Sequence, residues 1–171
     1  TVVRTLSLPK SVNLYNSSSG DIIGEGGIQT VMVTYKGHLG LFDGFGRTLW
    51  KSRDPFASSE NYFEIPIPLD QIPDPIDEEG YRFAPTQIDK PDTKRVYLHS
   101  PMLLTDLNGD RKLELVLTHN SPGLAQITGS RQYSRGEVLS LSWGSAGMLE
   151  NWKTEEIDGS VTSLKVADLD G

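Results

Sequence analysis

The sequence predicts an all-β chain of short antiparallel strands. Three observations carry that prediction. Apolar and polar residues alternate in short runs, as in Gly136-Glu137-Val138-Leu139-Ser140-Leu141-Ser142-Trp143, and a period of two marks a strand with one buried face. Turn formers separate these runs, with 17 glycines and 10 prolines among 171 residues. No segment repeats its apolar residues at the spacing of an amphipathic helix.

Taken in order, residues 2–8 alternate and stop at Pro9. Asn16-Ser17-Ser18-Ser19-Gly20 reads as a loop, and Asn16-Ser17-Ser18 is a formal glycosylation sequon. Gly24-Glu25-Gly26-Gly27 leads into a strand rather than a helix, so it reads as a loop and not a phosphate cradle. Gln29-Thr30-Val31-Met32-Val33-Thr34-Tyr35 is a strong strand, turned by Lys36-Gly37. Residues 38–42 return, Asp43-Gly44-Phe45-Gly46 turns again, and Arg47-Thr48-Leu49-Trp50 completes a three-strand meander.

Residues 53–101 differ. Eight of the 10 prolines fall there, and proline gives a ladder no N–H. The stretch from Ile65 to Gly80 therefore reads as an extended insertion, partly polyproline-like, flanked by Phe56, Tyr62, Phe63, Tyr81 and Phe83. It serves either as a binding loop or as a cover over sheet edges.

The last third returns to strands. Residues 113–118 form one, and 119–134 read as a long polar loop. The alternating run 136–143 turns at Gly144-Ser145-Ala146-Gly147 into an outer strand, 148–157. Asp158-Gly159 then leads into 160–167, the inner strand of a further unit.

The richest chemistry lies in Asp106-Leu107-Asn108-Gly109-Asp110-Arg111-Lys112-Leu113-Glu114. Asp106, Asn108 and Asp110 offer oxygens at alternate positions, and Glu114 adds a fourth. Hard cations such as Ca²⁺ take six to eight oxygens at about 2.3–2.6 Å. Positions 1, 3, 5 and 9 of such a loop, with the Lys112 carbonyl at position 7, can wrap one ion. An EF-hand is excluded: Arg111 stands where it needs glycine, Leu117 where it needs glutamate, and a strand follows in place of a helix. The same residues also suit a metal-free Asn-Gly-Asp turn between two strands. Val166-Ala167-Asp168-Leu169-Asp170-Gly171 repeats the opening of the motif, with Asp168 following Asp106 by 62 residues. Asp168 and Asp170 are thus the first two ligands of a second loop, and such an echo indicates a repeat architecture.

This phrase resembles the FG-GAP, or VCBS-type, repeat of integrin α-like β-propellers. The resemblance covers residues 96–171 and implies a partial β-propeller of four-stranded antiparallel blades. It departs at Arg111, where glycine is usual, and at Glu114, where aspartate is commoner. It implies calcium in the loop after each blade's innermost strand, held here by Asp106, Asn108, Asp110, Lys112 and Glu114, and in the next repeat by Asp168 and Asp170. The stretch from Gly37 through Trp50 also resembles a blade of quinoprotein-like propellers, as architecture only. The expected organisation is a first meander over 1–52, a Pro-rich insertion over 53–95, the calcium-loop blade over 96–167 and the start of the next loop over 168–171.

Composition narrows the function. The formal charge is −7, from 16 Lys and Arg against 23 Asp and Glu, so no nucleic-acid partner is expected. With no cysteine there is no disulfide, thiolate site or cysteine nucleophile. No apolar run spans a bilayer. His38, His99 and His119 lack partners at metal spacing, and no Gly-x-Ser-x-Gly elbow or P-loop is present. The acid runs Asp77-Glu78-Glu79 and Glu155-Glu156 read as solvated surface. The expectation is therefore a non-catalytic calcium-binding scaffold, structural or for recognition of a protein or glycan. It belongs in the periplasm, at the cell surface or outside the cell, where weak calcium sites fill. Part of a propeller hydrolase, lyase or quinoprotein is the alternative. Open blade edges imply either a longer chain or association with other copies.

Overall fold

The computed structural model describes residues 5–9, 12, 15–34, 37–56, 59–66, 93–99, 101–122 and 133–167. Among these the structure is all-β, and its ladders are antiparallel. No helix of the described residues is long and apolar enough to cross a membrane.

The first sheet is a four-stranded meander: β1 (Ser17–Gly20), β2 (Gln29–Val33), β3 (His38–Phe42) and β4 (Thr48–Pro55), hydrogen-bonded in chain order. Next comes a separate hairpin of β5 (Tyr62–Pro66) and β6 (Thr93–Tyr97). The second sheet holds β7 (Leu103–Thr105), β8 (Glu114–Pro122), β9 (Tyr133–Gly144) and β10 (Gly147–Lys153), again paired in chain order. A short β11 (Ile157–Asp158) pairs with the start of β9. Neither sheet closes on itself. The hairpin belongs to a compact unit of its own, Asn61–Tyr97, and both meanders belong to the other, Thr1–Glu60 with Leu98–Gly171.

The period of two explains how the meanders pack. Val31 and Val33 of β2 and Leu39 and Leu41 of β3 point to one side of the first sheet. Leu115 and Leu117 of β8 and Leu139 and Leu141 of β9 point to one side of the second, and all eight share one core. Burying each such side chain contributes about 1.5–3 kcal/mol. Strands of like rank meet across the interface, β1 against β7 and β4 against β10.

Several elements depart from the sequence reading. Ser17–Gly20 is a strand and not a loop. Its residues have little strand propensity, but β2 supplies a ladder, and the Ser19 and Thr30 hydroxyls bond at 2.8 Å. The Asn16 amide is buried and donates to the Val33 carbonyl at 2.9 Å, which takes it out of use as a sequon. Residues 5–9 form no strand. His119 to Pro122 continue β8, because Glu137 opposite His119 gives it a charged partner. Residues 160–167 form no strand; the Asn120 side chain instead takes both the N–H and the carbonyl of Val161, at 2.9 and 3.1 Å. Most of the Pro-rich insertion, 67–92, lies outside the described residues.

Candidate metal centre

The loop from Asp106 to Leu113 joins β7 to β8. Its shape comes from side chains accepting the loop's own amides. Asp106 Oδ1 accepts the Gly109 N–H at 2.7 Å, and Oδ2 accepts the Arg111 N–H at 2.8 Å. Asn108 Oδ1 takes the Asp110 N–H and Asp110 Oδ1 the Lys112 N–H, both at 2.8 Å. These bonds bend the chain through two left-handed residues, Gly109 at φ 78° and Arg111 at φ 68°. Glycine adopts that region freely, and arginine does so under strain. The amides, that of Arg111 foremost, hold the Asp106 carboxyl below its ordinary pKa of 3.8.

Glu114 opens β8 and is only 3% exposed. Its Oε2 accepts the Leu107 N–H at 2.7 Å, and its Oε1 a long 3.4 Å bond from the Asn108 amide. Among the described residues no basic side chain pairs with it. Bringing a carboxylate out of water costs several kcal/mol unless positive charge compensates it.

A cavity of about 130 Å³ lies beside this group, and Asn108, Asp110, Lys112 and Glu114 all line it. Positions 3, 5, 7 and 9 of the predicted motif are thus gathered on one space, while Asp106 braces the loop through its amides. Sequence reasoning missed the facing wall, Ser142 of β9 and Asn151 of β10. Asn151 sits at a β-bulge between Glu150 and Trp152, which re-aims its side chain. It accepts the Ser142 hydroxyl at 2.8 Å and donates to Ser140 Oγ at 3.2 Å.

The donor set suits a hard cation: carboxylate and amide oxygens, with no sulfur or imidazole. Asp110 Oδ2 makes no hydrogen bond among the described residues and is free to coordinate. Among those residues no three His, Cys, Asp or Glu groups already stand together as a metal cluster, so carboxylate spacing alone does not define the site. Asp168 and Asp170 lie outside the described residues.

A second loop has the same build. Asp21 stands one residue after β1, as Asp106 does after β7. Its Oδ1 accepts the Gly24 N–H at 2.9 Å and its Oδ2 the Gly26 N–H at 2.8 Å. Gly24 and Gly26 are left-handed at 81° and 78°, matching Gly109 and Arg111. Gln29 Oε1 accepts the Ile22 N–H at 2.8 Å, where Glu114 accepts that of Leu107. The registers also match, Gly20 opposite Gln29 and Thr105 opposite Glu114. The offset is 85 residues throughout. The signal in the sequence was Asp, then Gly at position 4, then an acid or amide at position 9.

No family model matches this chain, and neither does any curated protein or any solved structure.

Proposed function

We propose that the chain is β-propeller sequence, its two meanders being blades, and that it acts as a non-catalytic calcium-dependent scaffold. The observation that carries this reading is Glu114: a carboxylate 3% exposed, without a basic partner among the described residues, beside a cavity that Asn108, Asp110 and Lys112 also line. Two further features support it. The meanders stack with strands of like rank facing, and each has the same Asp-capped loop between its first and second strands.

Asn108, Asp110 and Glu114 would hold the ion, with the Lys112 carbonyl completing the set and Asp106 bracing the loop from outside the cavity. The ion would supply the positive charge that Glu114 lacks. The chain's own part is to preorganise the loop through Asp106 and to fix Glu114 at the start of β8. A ligand bound only by the folded state stabilises it by about 2.7 kcal/mol at a concentration of 100 Kd. The rigid sheets then present their loops to a protein or glycan at the cell surface, in the periplasm or outside the cell.

Calorimetry with Ca²⁺ and Mg²⁺ tests the reading. Calcium is expected to bind with a Kd on the order of 10⁻⁴–10⁻³ M, as in extracellular modules, and to raise the melting temperature relative to chelator. Absence of both heat and melting shift would remove the metal role.

A further inference from the structure

We propose that the loop at 21–29 is a cation-independent copy of the loop at 106–114, so that the chain takes one ion at the second loop and none at the first. This contrast rests on reading 106–114 as a cation loop. The shared backbone is described above: the same Asp cap, the same two left-handed residues and the same ninth-position acceptor, at one register.

The two loops part company at three ligand positions; position 5, Asp110 in one and Glu25 in the other, keeps a carboxylate, so positions 3 and 9 carry the contrast. Position 3 is Asn108 in one and Ile23 in the other, and Ile23 packs against the hydrophobic core. Position 9 is Glu114 in one and Gln29 in the other. Both ninth residues are buried, at 3% and 7% exposure, so their charge decides what each loop needs. Glu114 brings a negative charge that the described protein groups leave unbalanced. Gln29 brings none, and its Oε1 accepts two amides, Ile22 at 2.8 Å and Ile23 at 3.1 Å. Asp21 also accepts a third amide, Glu25 at 3.1 Å, where Asp110 instead turns to Asn108. Gly26 replaces Arg111 at the left-handed position and carries no strain there. The buried ninth position of the first loop is thus satisfied by hydrogen bonds alone, its position-5 acid, Glu25, being exposed to solvent as Asp110 is, while the second loop keeps a buried charge that no basic side chain among the described residues balances.

The consequence is an asymmetric response to calcium. The β1–β2 connection keeps its order without the ion, and the β7–β8 connection gains order with it.

Calcium calorimetry on the full chain tests this. The wild-type chain is expected to take one ion. Asp21→Ala should leave that ion bound and lower the melting temperature equally in calcium and in chelator, whereas Asp106→Ala should abolish binding. The double variant Ile23→Asn with Gln29→Glu should take a second ion; if it still takes one, the assignment to those two positions is overturned. Two ions on the wild type, or loss of the single ion in Asp21→Ala, overturns the contrast while leaving calcium binding intact. A wild type that binds no ion overturns the reading of 106–114 and the contrast with it. Should Asp21→Ala fail to fold, hydrogen exchange at the Gly24 and Gly26 amides decides: protection unchanged by chelator is expected, and protection lost in chelator overturns the proposal.

Discussion

Asp106 Oδ2 accepts the N–H of Arg111 at 2.8 Å, and Arg111 sits at φ 68°, the only left-handed non-glycine among the described residues. The bond explains why the loop tolerates the conformation. A left-handed L-residue costs about 1–2 kcal/mol. Glycine removes that cost but loses about 0.5–1 kcal/mol of chain entropy on folding. Arg111→Gly should therefore stabilise by about 0.5–1 kcal/mol and raise the melting temperature by about 1–4 °C. A lower melting temperature would show that the arginine side chain contributes more than the strain removes.

Glu114→Gln recreates in the second loop what Gln29 is in the first. The amide still accepts the Leu107 N–H, but the buried charge is gone. In chelator the variant should be more stable than wild type by about 1 kcal/mol or more, since an uncompensated buried carboxylate is costly. In calcium it should gain nothing, where wild type gains. Paired melting curves in the two buffers check both signs. A variant less stable in chelator would mean that Glu114 is balanced by some other charge.

Much of this fold was legible in sequence, and the misses share a cause. Residues 38–42 and 136–143 announce themselves because their side chains alternate, and 29–33 through its run of strand-favouring residues; together they are the centre of the core. Ser17–Gly20 does not, because that strand owes its existence to β2 rather than to its own residues. The loop at 106–114 stood out through its side-chain oxygens. The loop at 21–29 has lost the oxygen of position 3 and the charge of position 9 while keeping the backbone, which leaves only Asp21, Gly24, Glu25 and Gln29 as a trace. The wall residues Ser142 and Asn151 are brought to the cavity by pairing and a bulge, neither of which a linear motif records.

Acid should unfold the protein partly through Glu137 and Asp106. The His119 side chain bonds Glu137 at 2.9 Å and is the main reason its carboxyl lies below the ordinary 4.5; Lys153 adds to this at 3.3 Å. The Arg111 amide does the same for Asp106, below 3.8. Both folded values are depressed, so both groups stabilise fully above their unfolded values. That stabilisation is lost as the pH falls through the lower folded values. Urea midpoints followed from pH 7 to pH 3 should decline below about pH 4.5. Glu137→Gln should make the decline shallower while lowering the starting point at pH 7. An unchanged slope would mean that the hydrogen bond with His119 does not persist in solution.

Gly147 turns β9 into β10 and lies against the indole of Trp50, which comes from β4 of the other sheet. An added Cβ would overlap that ring, and the backbone there has φ 121°, which L-residues rarely adopt. Gly159 provides the control: its φ is 93°, but nothing lies within 4 Å of the position its Cβ would take. Alanine at Gly159 should therefore cost only backbone strain, on the order of 1 kcal/mol. Alanine at Gly147 should cost that and overpacking as well, about 2–4 kcal/mol in all. It should also shift tryptophan emission, as Trp50 is pushed from the interface between the sheets. Equal losses in the two variants, with unchanged fluorescence, would mean that the outer strands of the two meanders do not meet at this glycine.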